Sequence, residues 1–483
     1  MLKKFIQPIN LRLVTIYLAE LMGILGLIFI IPLLVSLIFR EFAYTALLLI
    51  LSIILLIIGF TGRKFQMAYK KNLFLKDALI VTALIYLLYS LIGGLVFLPY
   101  TSYINGVFET MSGFTTTGLT MVNPEILPRT LVFFRSYTQW LGGLGIIIIS
   151  LALLFRQGVA PFKLYTSEFG EENIVGSVVV TARIITKVYL MLTISGFISL
   201  LFAGMGYFDG LIHIFSGIST GGFSLYSDSI SHYRSLSIYL TLALFMFLGA
   251  VSFPIYYKVT KSGIKEFFRD IQVKTLFIII IISSLLFFVN FGVHIGNIGN
   301  AIFQAVTSIT QTGFNTINIQ GLSDKSKFIT IILMIIGGST ASTTGGIKIL
   351  RFLVLIGALR WLILKRALPE EAKISLKVGG VEVSPNTVSI VMGFVTSYLV
   401  ILVLSTLAIM YLEDYSFIDS FFETASAQGT VGLSVGITNS GMNIFSKILY
   451  IFNMWVGRLE ILPVLILLSP RTWIKRNRKR IGY

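Results

Sequence analysis

The sequence predicts an all-α integral membrane protein. Two N-terminal transmembrane helices precede four repeats, each made of a helix, a re-entrant segment and a second helix. Three observations carry this. The 483 residues are 55% hydrophobic and 12% charged, with a mean hydropathy of +0.89, whereas a soluble domain carries about 25% charged residues. Apolar runs recur, such as Leu47–Phe60, Thr275–Val289 and Thr387–Leu412, the last long enough to cross a hydrocarbon core of about 30 Å as a helix. Finally, one short stretch occurs four times: FETMSGFTTTG at 108–118, IHIFSGISTGG at 212–222, FQAVTSITQTG at 303–313 and FETASAQGTVG at 422–432.

Aligned on their last glycines, Gly118, Gly222, Gly313 and Gly432, the copies agree in kind. Six residues earlier stand Ser112, Ser216, Thr307 and Ser426, and five earlier the small residues Gly113, Gly217, Ser308 and Ala427. The glycines are 104, 91 and 119 residues apart. Those periods are too long for a solenoid and suit a unit of two membrane helices and a re-entrant segment. One Gly/Thr run alone is an ordinary packing site in a membrane helix. Four in register, each between apolar runs, point to a shared structure.

Composition excludes several functions. There is no cysteine, hence no disulfide or thiolate metal site, and three histidines suit a histidine-based catalytic metal centre poorly. The net charge of +17 would suggest nucleic acid in a soluble protein; here it follows the positive-inside rule, and no nucleic-acid partner is expected. The basic start Met1–Arg12 leads into an apolar stretch without a small-residue cleavage site, so no cleavable signal peptide is expected.

In chain order, a tight hairpin of Leu13–Phe39 and Phe42–Phe60 fills segment 1–62, which lacks the repeated stretch and is expected to pack at the periphery or an interface. Unit one (63–165) reads as Leu73–Leu98, Asn105–Met121 and Leu131–Phe155. Unit two (166–260) reads as Ile184–Gly206, Gly210–Tyr226 and Leu236–Tyr257. Unit three (261–360) reads as Thr275–Phe291, Gly299–Ile317 and an interrupted Phe328–Leu350. Unit four (361–483) reads as Asn386–Leu412, Phe417–Val435 and Phe445–Leu468. Arg63–Lys76, Arg156–Lys187, Lys258–Lys274 and Arg351–Lys377 read as basic loops, and the tail Arg471–Arg480 holds six basic residues and no acid. Both termini and all inter-unit loops are therefore expected in the cytoplasm, with the repeated stretches opening outside.

Four glycine-containing turns around one axis make a cation filter. A dehydrated potassium ion needs replacement oxygens, and backbone carbonyls supply them without a full charge, so the ion can also leave. Aligning carbonyls toward an axis needs an unusual dihedral, which Gly adopts without a Cβ clash. Such backbone is tolerated at membrane depth only where it faces water or is buried in protein. The expected filter is Thr116, Thr117 and Gly118; Thr220, Gly221 and Gly222; Gln311, Thr312 and Gly313; Thr430, Val431 and Gly432. Its backbone carbonyls are the expected K+ site. Neighbouring Thr and Ser side chains are expected to hold the strand from behind or add ligands, and the C-terminal dipole of each preceding pore helix favours a cation there. The fold is then four membrane-pore-membrane repeats in pseudo-fourfold arrangement around one pore. Val431 departs most from the pattern, so the filter need not be strictly fourfold.

The chain resembles the Trk/Ktr/HKT superfamily of potassium transporters, and within it the TrkH-type membrane pore subunits. The likeness lies in TTTGLT (115–120), STGGFS (219–224), TQTGFN (310–315) and GTVGLS (429–434), with GGSTASTTGGIK (337–348) and NMWVGRLE (453–460). It covers about Leu73 to Leu468, and the extra N-terminal helices suit the TrkH type better than the shorter Ktr type. The resemblance implies a homodimer with two separate pores in the bacterial cytoplasmic (inner) membrane. It also implies a separate cytosolic regulatory ring of the TrkA type that binds NAD(H) or ATP/ADP. Members with Ser at the first filter position favour sodium, so Gly118 points to potassium. This chain has neither a GxGxxG after a strand nor a GxxxxGK(S/T) run, so no covalent cofactor is expected and nucleotide is expected only on the partner.

Gly337, Gly338, Ser339, Thr340, Ala341, Ser342, Thr343, Thr344, Gly345 and Gly346 lie in a row inside a predicted helix and will not hold it straight. One reading is close helix packing through small residues. The other, which the resemblance favours, is an intramembrane gating loop under the filter. Lys348 either reaches the cytoplasmic interface or positions that loop. Arg458 reads as lying near the middle of the last helix, where an unpaired charge costs about 3 kcal/mol. Glu460 points elsewhere on the helix and is a poor partner. The resemblance places a basic residue below the filter here; Arg458 is expected to raise an electrostatic barrier and to hold polar atoms of the loop. Glu109 and Glu423 stand nine residues before filter glycines, with His213 and Gln304 in the matching places. They are expected near the pore-helix starts, as caps or as cation attractors at the outer mouth. His232 and His294 read as surface or interface residues.

The leading function is potassium uptake through a K+-selective, channel-like pore driven by membrane voltage, worth about 2.3 kcal/mol per charge per 100 mV. The alternative is a Na+- or H+-coupled potassium symporter on the same fold, for which Glu20 and Glu460 are the chief titratable groups. A membrane enzyme would need paired carboxylates, His or Cys in its helices, and these are scarce. A structural scaffold leaves the repeated stretch unexplained.

Overall fold

A computed structural model describes residues 9–69, 75–154, 178–369 and 375–473. The basic segments 155–177 and 474–483, on which part of the orientation argument rests, lie outside the described residues, as do 70–74 and 370–374.

Helices α1 (Leu11–Ile38) and α2 (Phe42–Tyr69) form the N-terminal hairpin. Asn10 starts α1 by accepting from Leu13 N at 3.2 Å, and Arg40 turns the chain at φ 58°. Small residues let the two helices close up: a Cβ on Gly23 would stand 2.8 Å from Gly59 Cα. The hairpin packs on unit one. There the Glu41 carboxylate accepts the free N–H groups of Arg129 and Thr130 at 2.9 and 3.0 Å, satisfying a helix start from a distant element.

Unit one holds α3 (Leu75–Gly94), the pore helix α4 (Tyr103–Phe114) and α5 (Arg129–Leu154). Unit two holds α6 (Val178–Phe202), the pore helix α7 (Tyr207–Ile218) and α8 (Leu236–Ala250), followed by α9 (Phe253–Ser262) and the short α10 (Lys265–Arg269). Unit three holds α11 (Ile271–Asn290), the pore helix α12 (Ile298–Ile309), α13 (Asp324–Ile336) and α14 (Ile349–Ala367). A two-stranded turn, β1 (Lys377–Val378) and β2 (Val381–Glu382), leads into unit four. That unit holds α15 (Pro385–Glu413), the pore helix α16 (Phe417–Gly429), α17 (Ile444–Arg458), α18 (Leu462–Leu468) and α19 (Pro470–Trp473).

Six described helices are long and apolar enough to cross a membrane: the two of the hairpin and the first of every unit. The second helices are of another kind. α5 packs on pore helix α7, α8 on α12, α13 on α16 and α17 on α4. Each unit's second helix therefore braces the next unit's pore helix, and the fourth returns to the first, which closes a ring.

Three sequence expectations need correction. Leu236–Tyr257 is not one helix: it breaks at Val251–Ser252, with 91° between the two parts. Pro254 is the cause. It has no N–H for the carbonyl four residues back, and that carbonyl, Ala250 O, accepts Ser339 N at 2.9 Å instead. Phe445–Leu468 also breaks, at Glu460 (φ 58°) and Ile461 (φ 64°), ahead of Pro463. Arg458 thus stands at the C-terminal end of α17 rather than mid-helix. The basic segments read as loops are partly helical: α2 runs on to Tyr69, α14 to Ala367, and 258–274 contains helical turns. Lys and Arg are good helix formers, so their density marked exposure, not irregular backbone. The interruption expected in unit three is present, between Ile336 and Ile349.

Candidate functional site

The four pore helices end in one way. Thr116 N bonds Gly113 O and Thr117 N bonds Ser112 O; Thr220 and Gly221 bond Gly217 and Ser216 alike. Gln311 and Thr312 bond Ser308 and Thr307, and Thr430 and Val431 bond Ala427 and Ser426. This paired closure is a Schellman motif, whose turning residue is left-handed and usually Gly. Here Thr116, Thr220, Gln311 and Thr430 hold it, at φ 53°, 54°, 57° and 56°. Each such residue costs about 1–2 kcal/mol, so the strain is concentrated where each pore helix turns into the filter.

Two residues on, Gly118, Gly222, Gly313 and Gly432 have φ 92°, 76°, 85° and 91°. Around them the units meet. A Cβ on Gly118 would strike Gly221 O, on Gly222 Thr312 O, on Gly313 Val431 O, and on Gly432 Thr117 O. The carbonyl before each filter glycine thus lies against a filter glycine of the neighbouring unit, in a closed cycle of four. From behind, Ser112 Oγ accepts Gly118 N at 3.0 Å and donates to Leu119 O at 2.6 Å, and Ser426 Oγ accepts Gly432 N at 3.1 Å. Thr115 and Thr117 pair their hydroxyls at 2.8 Å, Thr310 and Thr312 at 2.9 Å.

Glu109 and Glu423 are neither helix caps nor mouth groups. Each sits six residues past the start of its pore helix, at 1% and 0% exposure. Glu423 accepts from Ser434 Oγ, Val435 N and Thr438 N at 2.7, 2.8 and 2.9 Å, clamping the strand beyond the filter. Glu109 accepts from Thr120 Oγ1 at 2.6 Å and from Met121 N, and pairs with buried Arg135 at 3.0 Å. His213 does the same by another chemistry. Its Nδ1 faces Asp209 O at 2.8 Å and so carries the proton, leaving Nε2 to accept from Ser224 Oγ at 3.1 Å. Gln304 reaches only Ser308 of its own helix. The recurring position nine residues before the glycine was the available signal; its partners lie past the filter and could not be read from spacing. Glu423→Gln turns an N–H toward donors, and the expected result is a loss of about 2 kcal/mol, read as a lower Tm in detergent. An unchanged Tm removes the clamp.

Beyond the ring opens a cavity of about 510 Å³, lined by its four glycines and by Asn315 and Asp228, which is the one carboxylate among the described lining residues. At its rim Ser227 N donates to Glu125 at 2.9 Å, which holds that carboxyl below its ordinary range. His232 stacks on Tyr226 at the same rim, with ring centroids 3.5 Å apart, and His294 is exposed. Among the described residues no group of three His, Asp or Glu side chains could hold a metal ion; the oxygens that the ring offers a cation are backbone ones.

On the opposite side of the ring lies the segment 337–348. Gly337 (φ 74°) ends α13, and Lys348 (φ 74°) precedes α14. A Cβ on Gly345 would stand 2.7 Å from Gly429 O, and one on Gly337 2.9 Å from Gln311 Nε2, so the loop presses against the start of the filter. Ser339 N and Thr343 N use the carbonyls of Ala250 and Gly249 at the α8 break, and Phe253 N bonds Ala341 O. Thr343 Oγ1 donates to Gly249 O at 2.9 Å and meets Thr220 Oγ1 at 3.1 Å. Ser342 and Thr344 pair within the loop, and Gly338 and Gly346 pack against its neighbours. Arg458, 1% exposed, donates to Thr343 O and, at 3.0 Å, to Gly142 O on α5. Lys348 does not reach an interface: it is 3% exposed, and Nζ donates back to Thr344 O at 2.6 Å. Glu460 pairs with Arg351. Sequence reasoning missed Gln139, whose amide holds the backbone at Gly221 and Phe223; a lone Gln in a helix carries no motif.

The chain is similar in sequence and fold to known cation transporters. The TrkH family, described as cation transport proteins, matches residues 50–475. An uncharacterised cation transporter of Methanocaldococcus jannaschii is 34% identical over 94% of both chains. The Trk system potassium uptake protein TrkH of Escherichia coli K12 is 30% identical over 94% of this chain and 98% of its own. The crystal structure of the potassium transporter TrkH from Vibrio parahaemolyticus superposes with a TM-score of 0.85 at 27% identity, over 96% of this chain and all of that one. The chain therefore belongs to the TrkH family of cation transport proteins.

Proposed function

We propose that this protein takes up potassium across the cytoplasmic membrane through the filter ring, as a channel-like pore that the loop 337–348 closes. The carrying observation is the cycle of four positive-φ glycines, each against the carbonyl that precedes its neighbour. Such a ring replaces a hydration shell with carbonyl oxygens. The names of the Escherichia coli and Vibrio relatives, a potassium uptake protein and a potassium transporter, support potassium as the ion. Membrane voltage, negative inside, drives the ion inward. Both termini and the basic connecting segments face the cytoplasm, with the 510 Å³ cavity outside.

The Trk system to which those relatives are assigned supports a larger assembly. The chain works as a homodimer, and a cytosolic TrkA-type ring carrying NAD(H) or ATP/ADP sets the loop. A coupled symporter would need a free titratable group near the ring; of the two candidates, Glu460 is already committed to Arg351, and Glu20 lies on α1 of the N-terminal hairpin.

The test is ion flux in proteoliposomes holding this protein alone, with a potassium or sodium gradient and no other driving ion. Potassium uptake well above sodium, insensitive to pH, is the expected result. Flux only under an imposed sodium or proton gradient would establish the symporter instead. Flux that starts only when a TrkA-type ring and nucleotide are added would show a loop closed at rest. Pro254→Ala restores an N–H that competes with Ser339 N for Ala250 O. It is expected to loosen the loop and raise potassium flux about fivefold, the worth of one backbone hydrogen bond; an unchanged rate separates the α8 break from gating.

A further inference from the structure

Gln139 belongs to unit one, on α5, yet its amide holds the filter of unit two. Nε2 donates to Gly221 O at 2.5 Å, and Oε1 accepts from Phe223 N at 3.1 Å. The carboxamide therefore spans Gly222 as a bracket, at 0% exposure. Gly221 stands one residue before the filter glycine, where the other units carry Thr117, Thr312 and Val431. Its φ is not positive, so the backbone does not demand glycine there. Space does: a Cβ on Gly221 would meet Gln139, with Nε2 at 2.8 Å. Gln139 thus occupies the space that a side chain at position 221 would need.

Gly221 O is also one of the four ring carbonyls. The other three, of Thr117, Thr312 and Val431, accept no hydrogen bond from the described residues. A carbonyl has two lone pairs; at Gly221 one is taken by Gln139 and the other is left for the ion. We propose that Gln139 is a positioning residue that sets cation preference by fixing the direction of the Gly221 carbonyl. Selectivity depends on the number, spacing and stiffness of the ring oxygens, and this one is held from outside its own unit. The inference rests on the reading of the ring as a potassium filter.

The test measures potassium and sodium flux in proteoliposomes for the wild type and three variants. Gln139→Leu keeps the bulk and removes both bonds; its potassium-to-sodium flux ratio is expected to fall roughly tenfold, the weight of one buried hydrogen bond. Gly221→Thr alone collides with Gln139 and is expected to lose both flux and preference. Gln139→Ala with Gly221→Thr is expected to regain most of the ratio. The introduced hydroxyl then has Ser219 two residues back, as Thr117 has Thr115 at 2.8 Å. A wild-type ratio in Gln139→Leu overturns the proposal, and so does a double variant no better than Gly221→Thr alone. If Gln139→Leu does not fold, the double variant decides; failure of both to fold makes Gln139 a packing residue only. A wild type without potassium preference would instead sink the filter reading itself.

Discussion

Arg458→Ala is expected to raise potassium flux about tenfold or more, by releasing the loop and removing the buried positive charge that holds it. Its guanidinium ties Thr343 O, in the loop, to Gly142 O, on α5. A hydrogen bond to a charged group is worth about 1.5–3 kcal/mol. A loop held by one such bond shifts its open fraction by about tenfold when the bond is lost. Arg458→Lys should fall between, because an ammonium lacks the planar fork that serves two carbonyls at once. Flux in proteoliposomes, normalised to folded protein, is the readout. A rate equal to wild type in Arg458→Ala would mean that the arginine only packs the end of α17.

Gly432→Ala is expected to cut potassium uptake about a hundredfold. The residue has φ 91°, and an added Cβ would stand 3.0 Å from Gly118 Cα, besides striking Thr117 O. Left-handed backbone costs a non-glycine residue about 1–3 kcal/mol, and the added methyl also pushes one ring carbonyl off its place. A loss of about 2.7 kcal/mol at the barrier corresponds to a hundredfold in rate. Rescue of growth at limiting potassium in a transport-deficient host, together with rubidium flux in vesicles, would measure it. Near-normal uptake with an intact fold would show that the ion does not pass this ring. The neighbouring glycines provide internal controls, because Gly118, Gly222 and Gly313 face equivalent oxygens.

The ring of four glycine turns was readable because it repeats. Gly118, Gly222, Gly313 and Gly432 announce themselves by register, and the run from Gly337 to Gly346 by its inability to hold a helix. What stayed hidden depends on partners far along the chain. The turning residues Thr116, Thr220, Gln311 and Thr430 are not glycines, so their left-handed conformation has no local signature. Glu109 and Glu423 look like helix caps until the strand beyond the filter folds back onto them. Pro254 and Pro463 were visible as breakers, yet each lies in an apolar run long enough to be read through. Gln139 acts on unit two from unit one, an association that only the ring reveals.

The closure of that ring also governs when a pore can exist at all. α17 is made after all four pore helices, and it must come back to α4; Trp455 Nε1 donates to Ala83 O at 3.0 Å across 372 residues. Before α17 is made, all four ring carbonyls, the last of them on Val431, are already in the chain, but α4 lacks the helix that braces it. A chain cut short before Ile444 therefore leaves the ring of bracing contacts open at α4. The helix that closes this ring of contacts also brings Arg458, so the closed ring and the residue proposed to restrain the loop arrive in the same step of synthesis. Contacts so distant in sequence form slowly, so the closure of the ring is expected to be a late event in folding.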